Sequence, residues 1–316
     1  MAVLVLHVPP GRALRIDRLI ADSVPGLSRH RAQSMIAEGR IRVDGRRCRK
    51  GDAISGGIDV EVAIEDLAAA LVPEPDPRVP VLYEDEWLVA LDKPAGRPGH
   101  ALRPEETGTV ANFLAAVYPE TASVGSNPLE HGLAHRLDTD TSGVLLAART
   151  SAAWRHLRAQ FRERSVGKRY LAIVDGKVTG PGESREPIDD RRGSPQVRVV
   201  SGSGRGRKAI TCWRPLVVGA EHTLLEVEIE TGVRHQIRAH LAAAGHPVVG
   251  DRAYGHGGES AARQMLHAAS IEITHPQSGD RARIASAPPP DFLECLTRLF
   301  GDVSHIEHIS CVPRPH

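Results

Sequence analysis

At 316 residues and 41% hydrophobic side chains, the chain holds enough apolar mass for a large core and for two domains of roughly 100–200 residues each. No apolar run approaches the roughly 20 residues a membrane helix needs, and no charged leader with an apolar core opens the sequence, so the expectation is a cytoplasmic protein without a membrane partner. The net charge of +1 hides an asymmetry, because residues 1–60 carry eleven Arg and Lys against six Asp and Glu, the balance of a polyanion binder. Cys48, Cys212, Cys295 and Cys311 stand too far apart for a zinc ribbon or a redox pair and read as reduced structural thiols.

In chain order, Leu14, Ile16, Leu19 and Ile20 share a helical face that runs to about residue 23, where Val24-Pro25-Gly26 ends it. Ser28 offers an N-cap for a second helix from Arg29 to Glu38, and Gly39 supplies its stop. Ile41-Arg42-Val43 alternates as a strand does, Asp44-Gly45 is a hairpin-turn pair, and residues 54–62 alternate again. The first domain, residues 1–62, is thus expected to be two helices and a small sheet. Arg29 and Arg31 open the second helix, where backbone N–H groups and the helix dipole also favour phosphate, and Arg40 and Arg42 extend the basic face. The stretch RIDRLIADSVPGLSRHRAQSMIAEGRIRVDGRRCRKGDAI resembles the alpha-L RNA-binding domain, a fold shared with a ribosomal small-subunit protein. Ser28, Arg29, Arg31, Arg40 and Arg42 are its candidate RNA contacts, against the plainer alternative of a solvated basic face.

Residues 63–80, with the run VPEPDPRVP, favour an extended, semi-rigid spacer, and a second domain is expected over 81–300. It opens with strands at 81–83 and 87–91 about an acidic turn, then the loop Asp92-Lys93-Pro94-Ala95-Gly96, then a helix near 110–118. Ser151 can cap a helix to Arg164 whose Trp154, Leu157 and Phe161 share one face; Tyr170 to Val174 is a strand. Residues 180–208, rich in Gly, Arg, Ser and Asp, read as a long mobile connection, and 223–230 as a strand with one solvated face. Gly232 then turns the chain into a short helix ending near Gly245, on which a spacing of four puts Arg234 and Arg238 on one side. Strands at 265–274 and 281–286, a helix near 291–299 and a frayed tail over 301–316 complete the chain.

The chemistry centres on His135-Arg136-Leu137-Asp138-Thr139-Asp140-Thr141-Ser142-Gly143, a basic residue two places before a carboxylate, then turn formers, then the apolar run Val144-Leu145-Leu146. That pattern displays one reactive acid at a loop edge, although an Asp in such a place is also a common turn residue that bonds its own backbone. His131 and His135 are four apart but lie across Gly132 without the Glu of a zincin helix, so no metal site is read there. The glycines at 202, 204 and 206 lack the strand-to-helix context of a phosphate loop and read as a flexible basic loop.

The motifs HRLDTDTSGVLL, GKRYLAIVDG, ETGVRHQIRAHLAAAGHPVVGDRAYG and LHAASIEITHP, with LDKPAG before them, resemble those of the RluA-type pseudouridine synthases in order and spacing over about residues 81–288. The resemblance implies an α+β chain whose catalytic domain is a mainly antiparallel mixed sheet, with the small RNA-binding domain at its amino terminus. It implies isomerisation of uridine to pseudouridine in a structured RNA, ribosomal or transfer, by a monomer that needs no cofactor and no metal. Asp138 carries over as the nucleophile, attacking the sugar or the base; Arg136 as the arginine that fills the RNA stack when the uridine flips out; Tyr170 as the tyrosine beside the uracil, where it can assist loss of the carbon 5 proton; and Arg238 as the partner that keeps the acid ionised. His135, Leu137, Thr141, His235 and Gln236 flank these positions and are expected against the RNA. Many relatives carry Arg where this chain has Val233, and the loop from Gly96 to His100 departs from the commoner apolar version.

Two other classes share parts of this pattern. A glycoside hydrolase needs a second acid, and Asp140, two residues along a loop, does not fix a pair at the roughly 5–9 Å required. A catalytically silent RNA-binding or ribosome-assembly factor would need the basic first domain alone, and the presence of Asp138, Tyr170 and Arg238 together argues for chemistry.

Overall fold

The structure, a computed structural model, describes residues 3–8, 13–24, 29–63, 71–75, 78–191, 194–200, 206–255 and 261–302. Ser28, Cys311 and the tail beyond residue 302 lie outside the described residues, as does the side chain of Arg31. Among those described, the chain forms two compact units: residues up to Pro75 with 100–107 and 111–132 make the first, and the remainder makes the second.

In the first unit α1 (Ile16–Ser23) and α2 (Arg29–Ala37) pack beside a four-stranded antiparallel sheet in the order Val3–Val8, Ile58–Ala63, Ile41–Val43, Arg46–Arg47. Ile16, Leu19 and Ile20 meet Ala32, Met35 and Ile36 over Ile41, Val60 and Val62, so the helical and strand periodicities converge on one core. Two details differ from the sequence expectation. Val3–Val8 is a full partner of Ile58–Ala63, its Leu4, Leu6 and Val8 packing on the core while Val3 and Val5 stay exposed. Leu14 and Arg15 pair with Ile54 and Ala53, which delays the first helix to Ile16. Leu71 is buried against Ala101 and Ala111, and Asn112 Nδ2 donates to the Val72 carbonyl at 2.8 Å, so this part of the proline-rich stretch is packed.

The second unit is built on a nine-stranded sheet with the order Gly182–Ser184, Thr211–Val218, His222–Ile229, Gly167–Asp175, Leu266–Thr274, Ser142–Ala148, Leu88–Lys93, Val81–Glu84, with Arg281–Ala285 also paired to Leu266–Thr274. Every pairing is antiparallel but one, between Ser142–Ala148 and Leu266–Thr274, where Ser142 faces His267. Gly143 makes that approach possible: its φ is +108°, and a Cβ would collide with the carbonyl of Ala268. The strand Gly167–Asp175 is buried on both faces. Leu171 and Ile173 pack with Phe292 and Leu296 of α6 (Pro290–Phe300), while Ala172 and Val174 pack with Ile237 and Leu241 of α5 (Gln236–Ala243). The expected α+β class with a mainly antiparallel mixed sheet is therefore the observed one.

α3 (Val110–Val117) and α4 (Ser151–Glu163) fall where the sequence places them, but Thr150, not Ser151, caps α4, its side chain accepting from Ala153 N at 3.1 Å. Residues 192–193 and 201–205, with the glycines at 202 and 204, lie outside the described residues; the rest of 180–208 holds more structure than a mobile connection. Ile188–Asp189 pairs with Arg198–Val199, and Ile188 and Val197 are buried with Val233 and Ala239. Those few apolar residues sit among many polar ones, and a surface elsewhere in the chain is what gives them a core.

Candidate active site

Asp138 lies on a loop that runs into the strand Ser142–Ala148, and Thr141 N donates to the Asp138 carbonyl at 3.1 Å to close the turn its Asp and Thr residues favour. Buried cations hold the carbonyls that follow. Lys93, with no exposed surface, donates its Nζ to the carbonyls of Thr139, Pro94 and Arg97 at 2.7, 2.9 and 2.8 Å. Burial pulls its pKa down to about 7, with Asp140 opposing. Arg263 donates Nη1 to the Asp140 carbonyl at 3.0 Å while its Nε and Nη2 grip Asp291 at 2.6 and 3.0 Å. Gln264 Nε2 reaches Thr141 Oγ1 at 3.1 Å, and the Ser142 hydroxyl lies 3.0 Å from His267 Nδ1. The loop is fixed from behind by groups the solvent does not reach.

From the front, Arg238 of α5 donates Nη1 to Asp138 Oδ2 at 2.9 Å across 100 residues of sequence. Its Nε and Nη2 form a two-pronged pair with Asp251, at 2.6 and 2.8 Å. Asp251 is fully buried and also accepts from Ala253 N and Tyr254 N. Burial alone would raise its carboxyl, but Arg238 and those N–H groups hold it below the usual range. Burial likewise opposes the charge of Arg238, yet Asp251 and Asp138 keep the guanidinium above its ordinary pKa. The result is an acid, cation, acid row with one end, Asp138, a quarter exposed in the cleft. Asp251 stands in the quoted GDRAYG stretch without a role in the sequence reading; its signal would have been an acid 13 residues beyond the site arginine.

Tyr170 sits where the pairing of its strand with Leu266–Thr274 shifts register, and it is 7% exposed. Burial first, then the neighbouring Asp138, pushes its phenol above the ordinary value, so it is neutral near pH 7. Arg136 is exposed, and its side chain makes no hydrogen bond or ion pair among the described residues. Leu137 packs at the edge of the cluster around Tyr170, Ile237 and Leu241.

Three flanking residues expected against RNA line the cleft and also bond within the protein. His135 Nε2 accepts from Leu146 N at 3.1 Å, its ring lies 5.0 Å from that of Phe161, and burial lowers its pKa to about 3. Thr141 is 2% exposed and bonded to Gln264. Gln236, 3% exposed, accepts from Thr231 Oγ1 and Val233 N and donates to the Ile210 carbonyl and Thr211 Oγ1. Their side chains brace the loop and the start of α5. Arg234 is not on the helix with Arg238, because α5 begins at Gln236; it pairs instead with Asp190 at 2.8 Å and donates to the carbonyls of Ser194 and Pro195. His235 precedes the helix in a left-handed conformation, φ 54°, with Nε2 4.0 Å from Asp138 Oδ1.

These groups line a cleft of about 760 Å³ whose walls also carry Arg158, Arg162, Arg164, Lys168, Arg207 and Lys208, a positive surround suited to a phosphate backbone. In the other unit, Arg42 is exposed and donates to the Gly45 carbonyl, and Arg40 lies 3.6 Å from Glu38. Arg29 has a second task there. With Arg15 and Gln33 it binds the buried carboxylate of Asp17, at 3.0 Å, and these hydrogen bonds, that from Arg15 foremost, hold the Asp17 carboxyl well below the usual range. Among the described residues no group of three His, Cys, Asp or Glu is placed to hold a metal ion, and no helix is long and apolar enough to cross a membrane.

A mixed sheet that presents one loop-borne acid, gripped by a buried arginine in a basic cleft, is the frame in which the comparisons identify an RNA-modifying isomerase. Residues 88–243 match the family described as RNA pseudouridylate synthase and residues 14–57 match the S4 domain; the chain belongs to the RNA pseudouridylate synthase family. Similar curated proteins include ribosomal large subunit pseudouridine synthase D of Pseudomonas aeruginosa, 34% identical over 302 residues that make up 91% of this chain and 92% of that one. An RNA pseudouridine synthase of Chloroflexus aurantiacus is 39% identical, covering 94% of each chain. The solved structure of human RNA pseudouridylate synthase domain containing 1 shares the fold, with a TM-score of 0.56 at 24% identity over 77% of this chain and 100% of that one.

Proposed function

We propose that the protein converts particular uridines of large-subunit ribosomal RNA to pseudouridine, as a cytoplasmic monomer, with Asp138 as the nucleophile. The observation that carries this reading is the asymmetric hold on Asp138: Oδ2 is bound by Arg238 at 2.9 Å, while among the described residues Oδ1 meets no donor closer than His235 at 4.0 Å and is the oxygen left to react. The reaction breaks the bond from uracil N1 to C1′ and forms one from C5 to C1′; C5 gives up a proton and N1 gains one. A carboxylate at the anomeric carbon or on the ring holds the intermediate while the base turns. Tyr170, neutral and buried, acts as a wall and hydrogen-bond donor beside the base, since a phenol raised above its ordinary pKa is a poor base near neutrality. Arg136, exposed and unpaired among the described residues, takes the place the flipped nucleotide leaves.

The domain over 1–62 holds RNA through its exposed arginines, and that over 81–300 holds the target uridine. The ribosomal target rests on the names of the relatives and on the S4 match. The test is to incubate the purified chain with large-subunit RNA and with transfer RNA from cells lacking the gene and to map pseudouridine at nucleotide resolution. Asp138→Asn is expected to bind RNA and fold but to lose turnover by at least roughly 10⁴-fold, the scale of removing a nucleophile. Turnover by that variant sinks the mechanism, product in transfer RNA alone sinks the target, and no product from the native chain favours a silent RNA binder.

A further inference from the structure

The neighbour of Asp138 Oδ1 is His235, and the partners of its other ring nitrogen bear on where its proton sits. His235 Nδ1 lies 3.0 Å from the hydroxyl of Tyr254, and that hydroxyl accepts a hydrogen bond from Val197 N at 2.7 Å. With one lone pair engaged by Val197, the tyrosine's own proton has an acceptor in line at Nδ1. A neutral imidazole that accepts at Nδ1 carries its hydrogen at Nε2, and Nε2 is the atom that faces Asp138 Oδ1. The ring has little freedom to turn. His235 is held in a left-handed backbone conformation just before α5, and its ring meets that of Tyr254 edge-on at 5.7 Å. Tyr254 is itself clamped, with Arg238 over its ring at 5.2 Å, its N–H bonded to Asp251, and Val233 and Val197 packed nearby.

At 4.0 Å the Nε2–H does not bond Oδ1 directly. The gap is the width at which an oxygen of a ligand seated against the carboxylate takes the hydrogen bond. We propose that Tyr254 is a positioning residue that locks His235 in the Nε2–H tautomer, and that this N–H is kept for an oxygen of the target nucleotide held against Asp138. This rests on the reading of the site given above, and it adds to the Asp138 and Arg238 pair a neutral donor aimed at the substrate. A strained residue beside a reactive acid is where such a device is expected.

The first test needs no RNA. Nitrogen-15 spectra of the full chain, with His235 identified by comparison with His235→Asn, are expected to show a neutral ring protonated at Nε2 in the native protein and a mixture of tautomers in Tyr254→Phe. An Nδ1–H ring in the native protein, or an unchanged spectrum in Tyr254→Phe, overturns the lock. The second test uses single-turnover rates on the RNA that the native chain modifies. His235→Gln keeps an amide N–H near the Nε2 position, whereas the shorter Asn cannot reach it. Gln is expected to be faster by about tenfold, the worth of one neutral hydrogen bond, with RNA affinity alike in the two. Tyr254→Phe is expected to lower the maximal rate while leaving the half-saturating RNA concentration unchanged. Equal rates for Gln and Asn overturn the donor role, and thermal melts of each variant show whether it is folded. If the native chain itself yields no pseudouridine, the proposed reaction fails while the tautomer measurement still decides the lock.

Discussion

The loop that carries Asp138 and the amino-terminal helix pair both gather cations, yet they hold them in opposite ways. Lys93, Arg238 and Arg263 of the cleft unit are each less than a tenth exposed, and each grips at least two acceptors. Arg42, Arg46, Arg47, Arg49 and Lys50 of the helix-pair unit stand in solvent, and Arg15 and Arg29 keep about half their surface exposed even while they bind Asp17. Water and salt screen the second group and leave the first almost untouched. Buried cations fix the groups they bind, and Lys93 among them answers to pH; exposed ones attract a polyanion over a distance and answer to ionic strength.

Removing a buried partner is the harshest test of this contrast. Asp251→Asn leaves Arg238 with one uncompensated face, and breaking a buried ion pair costs about 3–5 kcal/mol; urea melts are expected to show that loss, with activity falling as Arg238 turns away from Asp138. A melt within 1 kcal/mol of native, an order-of-magnitude threshold for a surface pair, would place Asp251 with the solvated charges.

Lys93 sharpens the pH side. Its folded pKa of about 7 lies below the ordinary 10.5, so between those values the unfolded chain holds more proton and stability rises with pH. Native protein is expected to gain on Lys93→Met by on the order of a few kcal/mol from pH 7 to 10. Parallel curves for the two across that window would mean that the ammonium is no more strained than a surface lysine.

Arg136 tests a cation of the cleft unit that is exposed. Arg136→Ala is expected to slow a base-paired target about tenfold more than a short single-stranded one, a share of the few kcal/mol that extruding a paired base demands. Equal slowing on both RNAs would deny it the stack. The smallest effect belongs to the helix pair: Arg42→Ala is expected to weaken RNA binding by less than about 1 kcal/mol and to reduce the salt slope by about one unit. A salt slope unchanged in Arg42→Ala would remove that residue from the phosphate contacts.

What the sequence made legible follows the same division. Asp138 and Arg238 were readable because motif and chemistry coincide in neighbouring residues, and α1 and α2 because their apolar spacing is local. Lys93 was legible only as part of the loop after a strand, since a lysine before proline reads as surface until three carbonyls are brought around it. Arg234 was placed beside Arg238 by helical spacing, but the left-handed turn at His235 starts the helix later than Gly232 implied. The hydrogen bonds of His135, Thr141 and Gln236 within the protein were not legible, because their partners lie in other segments. Asp251 was missed because its meaning is a contact, and contacts between distant segments have no local pattern.

The parallel pairing of Ser142 with His267 bears on how the enzyme comes into being. These partners are 125 residues apart, and Asp138 meets Arg238 across 100. Contacts of such long sequence separation form late, because the loop between them must close first. A nascent chain that has emerged as far as the strand His222–Ile229 contains the reactive acid and Tyr170 but none of Arg238, Asp251 or Arg263. Lys93 can already hold that loop through the Thr139 carbonyl, but the arginine that binds Asp138 and the one that binds the Asp140 carbonyl have still to emerge, so the grip on the acid is completed last.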